Sequence, residues 1–363
     1  MQPKVAIIYL SFHCEPYIGD VVSTLKKMTY PKDSVEFIIV DNPHPQYGSS
    51  VRFLEENVMP LSNKEIPHIT ILPQEKNLGF VGGNNVGIKW AVEHGFDYVY
   101  FHNQDGFVAA NFLEPLVEAM EHDKKIGVAQ SFILLHPETD LINTSGNFFH
   151  YLGLGFCGNL RVKKDQINFP SIYETADASG AAVMMRTDLL KEYGFWDEDF
   201  FLYHEDIEYS FRIRAAGYKI ITVRDSIFYH KYAFSRNKEK FYYIERNRFG
   251  VMLMFFKWPT LILFLPMAIL LEIGLLLFAW NKGWLDEKLK AYRYWLDFDH
   301  IKLWLGKRAN IQELRKVNDA EMIRLFTGKV TFEEKSINNP LLEYIGNPLM
   351  EAYWWIMKKI IVW

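Results

Sequence analysis

Three stretches of the chain concentrate side chains that can do chemistry. The apolar run Tyr98–Phe101 gives way abruptly to His102-Asn103-Gln104-Asp105-Gly106. Open α/β sheets bind ligands beyond the carboxyl ends of their strands, so a polar cluster placed there reads as a binding site. Asn, Asp and Gly are equally ordinary turn residues. A second stretch, Trp196–Glu208, crowds together Asp197, Glu198, Asp199, Glu205, Asp206 and Glu208. Carboxylates so placed repel unless a cation or a proton relieves them. Glu205 and Asp206 follow the aromatic "FFLYH" and open the amphipathic "IEYSFRIRAAG". There, one of them can work as an acid, or simply cap the helix. The third stretch is the glycine-rich "KNLGFVGGNNVG", Lys76–Gly87, which suits either a close backbone approach or a plain turn into a helix.

The elements that must position these residues alternate in type. Apolar strands are predicted at Val5–Leu10, Val35–Val40, His68–Leu72 and Tyr98–Phe101, with helices at Ile18–Lys27, Ser49–Asn57 and Gly83–His94 between them. Such alternation implies right-handed crossovers and a mostly parallel sheet, hence an α/β domain. Its ligand edge collects Ser11, Asp41, Asn42, the glycine-rich stretch and Asn103–Asp105, because each follows a strand or opens a helix. From Ile126 to Ile172 the pattern is irregular and antiparallel in character. Ser179–His230 then reads as strand, short helix, acidic loop, helix and strand.

Bulk properties narrow the class. The chain has 363 residues, a formal charge of −4 and a pI near 6.3, with no basic excess of the kind that nucleic-acid binding requires. Its two cysteines, Cys14 and Cys157, lack metal or redox spacing and fit a reducing compartment. Val5–Leu10 is too short for the core of a secretory signal and reads as the first strand, so the domain is expected to stay cytosolic.

After Tyr242 the texture changes. Trp258–Trp280 is apolar apart from Thr260 and Glu272, and as a helix it would reach about 34 Å, close to a bilayer core. Pro259, Pro266 and Glu272, with Lys and Arg on both flanks, favour a kinked, re-entrant or interfacial segment, a monotopic and partly inserted helix pair, over a single span. The final "LMEAYWWIMKKIIVW" has the composition of an interface-anchoring helix. A buried core helix and a docked terminal helix are the soluble counterparts of these two readings.

Taken together, "IIYLSF", "FIIVDN", "NLGFVGGNNVGI", "FHNQDG", "SGAAVMMRTDLLKEYGFWDEDFFLYHEDIEYSFRIRAAGY" and the strand-end His230 resemble the family 2 glycosyltransferases over Lys4–Arg248. The nearest branch is that of rhamnosyltransferase-like and galactofuranosyltransferase-like enzymes. The resemblance implies a GT-A fold and transfer of a sugar, with inversion, from a nucleoside diphosphate donor to an acceptor hydroxyl. It implies a divalent metal, Mn2+ or Mg2+, at Asp105 and His230, with Asn103 standing where the family has a first carboxylate. Asp206 matches the catalytic base and Glu205 its neighbour in the motif. Ser11, Asp41, Asn42, Gly79, Gly82, Gly83, Asn84, Asn103 and Gln104 fall where the donor is bound.

The organisation expected is a catalytic domain over residues 1–245 and a helical membrane-associated region over 246–363. The expected partners are a nucleotide-sugar donor, a lipid-linked saccharide acceptor and the cytoplasmic face of the cell membrane. The product would serve cell-surface polysaccharide synthesis. A sugar nucleotidyltransferase is disfavoured because "YLSFHCEPYIGD" lacks a basic phosphate loop. A non-catalytic membrane scaffold is the remaining alternative, prompted by Asn103.

Overall fold

A computed structural model describes residues 2–232, 238–331 and 340–363. The chain forms two compact units that interleave along the sequence. The first comprises Met1–Gly146, Gly158–Phe201 and Lys219–Ala233; the second comprises Asn147–Cys157, Leu202–Tyr218 and Phe234–Trp363.

The first unit begins with the expected alternation: β1 (Val5–Ser11), α1 (Ile18–Leu25), β2 (Val35–Asp41), α2 (Val51–Asn57), β3 (His68–Pro73), α3 (Gly79–Glu93) and β4 (Tyr98–His102). It continues with β5 (Gly106–Val108), α4 (Leu113–His122), β6 (Ile126–Leu135) and β7 (Ile142–Thr144). Strands β1 to β4 are parallel in the order β3-β2-β1-β4; the Val, Ile, Tyr and Phe side chains of β1, β2 and β4 are buried, as central parallel strands require, while edge strand β3 is half-buried. Strands β1, β2 and β4 each run one residue beyond their apolar run, because the ladder continues through the polar residue Ser11, Asp41 or His102. Ser11 pairs in register with Asp41, and Tyr9 with His102.

Two short strands follow in the second unit, β8 (Phe148–Phe149) and β9 (Gly155–Phe156), which pair with each other. Back in the first unit come β10 (Ile172–Glu174), β11 (Ala182–Arg186) and α5 (Thr187–Tyr193). After α6 (Glu205–Ala215) of the second unit, β12 (Lys219–His230) completes the sheet in the order β10-β12-β6-β11-β4-β1-β2-β3. Strand β11 joins antiparallel to both β4 and β6, so the sheet is parallel in its amino-terminal half and mixed beyond β4.

The rest of the second unit is helical: α7 (Lys238–Phe255), α8 (Trp258–Lys282), α9 (Leu285–Leu296), α10 (Phe298–Leu314), α11 (Asp319–Met322) and α12 (Asn347–Ile360). The position between residues 245 and 246 falls inside α7. Phe211, Phe255 and Phe326 pack together in this unit's core, with Phe149 against Phe211 and Phe326. Helix α8 is unbroken across Pro266 and is long and apolar enough, by length and composition, to cross a membrane.

Candidate active site

The polar ends of β1, β2, β4 and β12 form the centre of the site in the first unit. Asp105 follows β4 and immediately precedes β5, and β5 pairs antiparallel with the end of β12 so that His230 lies opposite Gly106. That register puts the Asp105 carboxylate beside the imidazole, with His230 Nε2 3.1 Å from Asp105 Oδ1. Gly106 is obligatory for this pairing: a Cβ there would come 2.1 Å from the Phe228 ring and 2.8 Å from the Tyr229 carbonyl.

His230 is held from its other side as well. Its Nδ1–H donates to the side-chain oxygen of Asn143 at 2.8 Å, and both residues are buried. Because an amide oxygen only accepts, Nδ1 must carry a proton, and Nε2 is the ring atom left to face Asp105. Asn103 adds a donor, its Nδ2–H lying 3.0 Å from the same Asp105 oxygen. Burial alone would raise the Asp105 pKa, but the hydrogen bond and charge of His230 outweigh it and hold the carboxyl below its ordinary range. Nearby His102 is pushed down to about 4 by its own burial and is therefore neutral.

The second strand end is braced from three sides. Asp41 is buried and accepts from Ser11 Oγ at 3.0 Å, Ser49 Oγ at 2.6 Å and the Ser50 N–H at 3.1 Å. Asn42 accepts from the Leu78 N–H and donates to Asn77 Oδ1 and the Gly79 carbonyl. Gln104 spends its amide on the Phe12 backbone, accepting the N–H at 2.9 Å and donating to the carbonyl at 3.2 Å. These three side chains tie the ends of β1, β2 and β4 and the start of α3 into one edge.

The glycine-rich stretch differs from its sequence reading in position. Helix α3 starts at Gly79, so Gly79, Gly82 and Gly83 occupy its first turns. Gly79 has φ +74°, and a Cβ there would meet the Phe201 ring at 2.9 Å. At Gly83 a Cβ would lie 2.4 Å from Leu10, so this glycine lets α3 press against β1. Asn84 is buried and donates to the Phe80 carbonyl of its own helix. Its neighbour Asn85 makes the longer-range contact, exchanging hydrogen bonds with the Trp196 backbone.

Glu205 and Asp206 belong to the second unit, at the start of α6. His204 is the N-cap residue, at φ +68°, and no side chain caps the helix; Asp206 instead accepts from the Ile207 N–H at 2.9 Å. Tyr203 is also left-handed, at φ +65°, and such backbone is costly for bulky residues. Asn247 restrains it by donating to the Leu202 and Tyr203 carbonyls at 3.1 and 2.7 Å. Glu205 is buried, and desolvation, reinforced by the negative charge of Asp206, raises its pKa well above the ordinary value.

A divalent cation is the group that the family resemblance implies. Among the described residues no cluster of three or more His, Cys, Asp or Glu side chains could hold a metal ion. One carboxylate oxygen and one oriented imidazole nitrogen do converge, which fits a cation that takes its other ligands from substrate phosphates and water. Asn143 and Asn247 were invisible to sequence reasoning: neither lies in a recognisable motif, and their partners are 87 and about 45 residues away.

Residues 6–194, more than half of the chain, match the model of the family described as Glycosyl transferase family 2, and the chain belongs to that family. No curated protein matches it in sequence. It is similar to solved GalNAc-T7 with UDP, GalNAc and Mn2+, with a TM-score of 0.57 and 16% identity, over 73% of this chain and 51% of that one. The chain thus spans about half the length of GalNAc-T7. Similarity extends to S. aureus TarS 1-349 in complex with UDP-GlcNAc, at TM-score 0.48 and 15% identity over 98% and 90% of the two chains. A mannosyltransferase from Pyrobaculum calidifontis in complex with GDP-Man and Mn2+ has a TM-score of 0.46 at 14% identity, over 86% of each chain. The α/β sheet flanked by helices is a GT-A fold, and a helical carboxyl-terminal region accompanies it.

Proposed function

We propose that the chain is an inverting glycosyltransferase that moves a sugar from a nucleoside diphosphate donor to a hydroxyl of a lipid-linked glycan. The single observation that carries this reading is the Asp105–His230 pair, fixed by strand register at the sheet's polar edge in a chain of glycosyl transferase family 2. A rhamnose- or galactofuranose-type sugar and a role in cell-surface polysaccharide assembly at the cytoplasmic face of the membrane complete the proposal. The apolar helix α8 supports the membrane part.

Asp105 and His230 would hold a divalent cation, which when bound offsets the charge that grows on the diphosphate as it leaves. The chain's own residues do the rest. Asn143 keeps Nδ1 of His230 protonated, leaving Nε2 as the donor atom. Asp41, its carboxylate already oriented by Ser11 and Ser49, accepts from the nucleobase. Asn42 and Gln104 keep the strand ends in place beneath the donor. Asp206 takes the acceptor hydroxyl's proton as the new bond forms, and inversion needs no enzyme nucleophile. Glu205, whose pKa is pushed well above its ordinary range by burial and by the charge of Asp206, holds its proton more readily than Asp206 and donates a hydrogen bond to the acceptor rather than competing as a second base.

The test is turnover by the purified full chain on a panel of uridine, deoxythymidine and guanosine diphosphate sugars, with and without Mn2+. Release of nucleoside diphosphate with any of them supports the reading. Donor binding without turnover of any donor, with lipid-linked acceptor present, would favour the non-catalytic scaffold instead.

A further inference from the structure

The second unit carries an apolar surface that its own packing leaves uncovered. On α8 the side chains of Ile262, Leu265, Ile269, Ile273, Leu277 and Trp280 are all exposed, between 52% and 70%. They recur every three or four residues and so line one stripe, roughly a third of the helix circumference. The opposite face is packed: Phe264, Met267, Leu275 and Ala279 are buried. Between Trp258 and Asn281 the helix has one charged residue, Glu272, and it does not share the exposed stripe.

Glu272 is bound into an ionic cluster inside the unit. Its carboxylate pairs with Arg248 of α7 and with Lys288 of α9, the latter at 2.7 Å, and accepts from the Tyr292 hydroxyl at 2.6 Å. Arg248 and Lys288 also pair with buried Glu245, closing a set of two acids and two bases. Separating such a set is strongly destabilising, because each charge would be left buried without its partner. The middle of α8 is therefore pinned to two charged helices. A transmembrane pose would force that cluster to the depth of the bilayer centre.

We infer that α8 lies in the plane of one leaflet, its exposed stripe sunk among the lipid chains and its Glu272 face turned to the protein, so that the chain binds a phospholipid membrane monotopically. Helix α12 extends the same contact. It packs on α8 through Tyr353, whose hydroxyl donates to the Leu263 carbonyl, and through Trp354 against Phe264. It leaves Trp355, Ile356 and Ile360 exposed, with the Lys359 ammonium 3.2 Å over the Trp355 ring. An aromatic ring topped by a lysine suits the boundary between acyl chains and anionic headgroups, which is why lipid, and not a second copy of the chain, is the assigned occupant.

The inference sharpens the membrane association proposed above and is independent of the transfer chemistry. Its first test is flotation of the purified full chain with vesicles of phosphatidylethanolamine and phosphatidylglycerol. The wild type is expected to float, and the double variant Ile269→Glu, Ile273→Glu to lose at least about tenfold of its partitioning with unchanged Tm, since both side chains are exposed. A wild type that stays in solution, or dimers that the same variant disperses, would overturn both the posture and the membrane association. The second test separates the two. In inside-out vesicles from expressing cells, cysteines placed singly by Lys257→Cys and Asn281→Cys should both react with a membrane-impermeant maleimide. Protection of one of them would establish a span, keeping the membrane association and overturning the in-plane posture.

Discussion

Asn143 and His230, 87 residues apart in sequence, meet through a 2.8 Å hydrogen bond that fixes which imidazole nitrogen faces Asp105. The bond exists because β7 pairs with the end of β6, and β6 pairs along its length with β12. If it sets the tautomer, Asn143→Leu should weaken Mn2+ binding by about 10–100-fold, as loss of an orienting partner does at metal-bound histidines. Asn143→Asp keeps an acceptor oxygen and should restore most of the affinity. Electron paramagnetic resonance titration of free Mn2+ distinguishes the two variants. Equal affinity in Asn143→Leu and wild type would remove Asn143 from the site.

Gly106 makes the second connection, between the β4 end and β12. Adding a methyl there must displace the Phe228 ring or part β5 from β12. Gly106→Ala should lower stability by about 1–3 kcal/mol, the usual range for overpacking, and weaken Mn2+ binding alongside it. A thermal melt and the same titration read both effects.

Glu205 gives a pH dependence whose sign is fixed. Its folded pKa is raised above the ordinary 4.5, so the folded chain holds a proton that the unfolded chain releases. The associated stability is complete below pH 4.5 and is lost as pH rises through the folded value. Glu205→Gln cannot ionise and should flatten this decline, so the variant's Tm should gain on wild type as pH increases. Parallel curves for the two proteins would show that Glu205 is not a proton-holding group.

Asp206→Asn removes a proton acceptor and changes little in shape. Transfer should fall by about 10²–10⁴-fold while donor affinity, read by calorimetry, stays near wild type. Near-normal turnover would transfer the role of base to another residue.

The parallel half of the sheet was legible in sequence because buried strands read as continuous apolar runs; Ser11 and Asp41 were legible because they end such runs, and Asp105 because it lies in the polar cluster just beyond one. His230 was legible only through the family resemblance, since the half of β12 that ends in it alternates buried and half-exposed residues and follows Arg224 and Asp225. The roles of Asn42, Gln104 and Asn84 were not. An amide serves a ligand or its own backbone equally well, and only the fold shows that Gln104 reaches Phe12 across 92 residues. The sequence predicts the start of α3 at Gly83, four residues after its actual start at Gly79, because glycine argues against a helix locally. At Gly83 and Gly87 the close approach to Leu10 and Ile8 of β1 overrides that propensity. Glu272 was read as an obstacle to membrane insertion, but its partners Arg248 and Lys288 could be named only once α7, α8 and α9 were seen packed together.

The most direct measurement is calorimetry of nucleoside diphosphates binding to the full chain with and without Mn2+, in wild type and Asp105→Ala. Wild type should bind at least one diphosphate about tenfold or more tightly with Mn2+ present, and Asp105→Ala should lose that enhancement while keeping its fold by circular dichroism. Equal affinity with and without the metal in wild type, or an enhancement that survives in Asp105→Ala, would contradict the assignment of Asp105 and His230 as the diphosphate-holding centre.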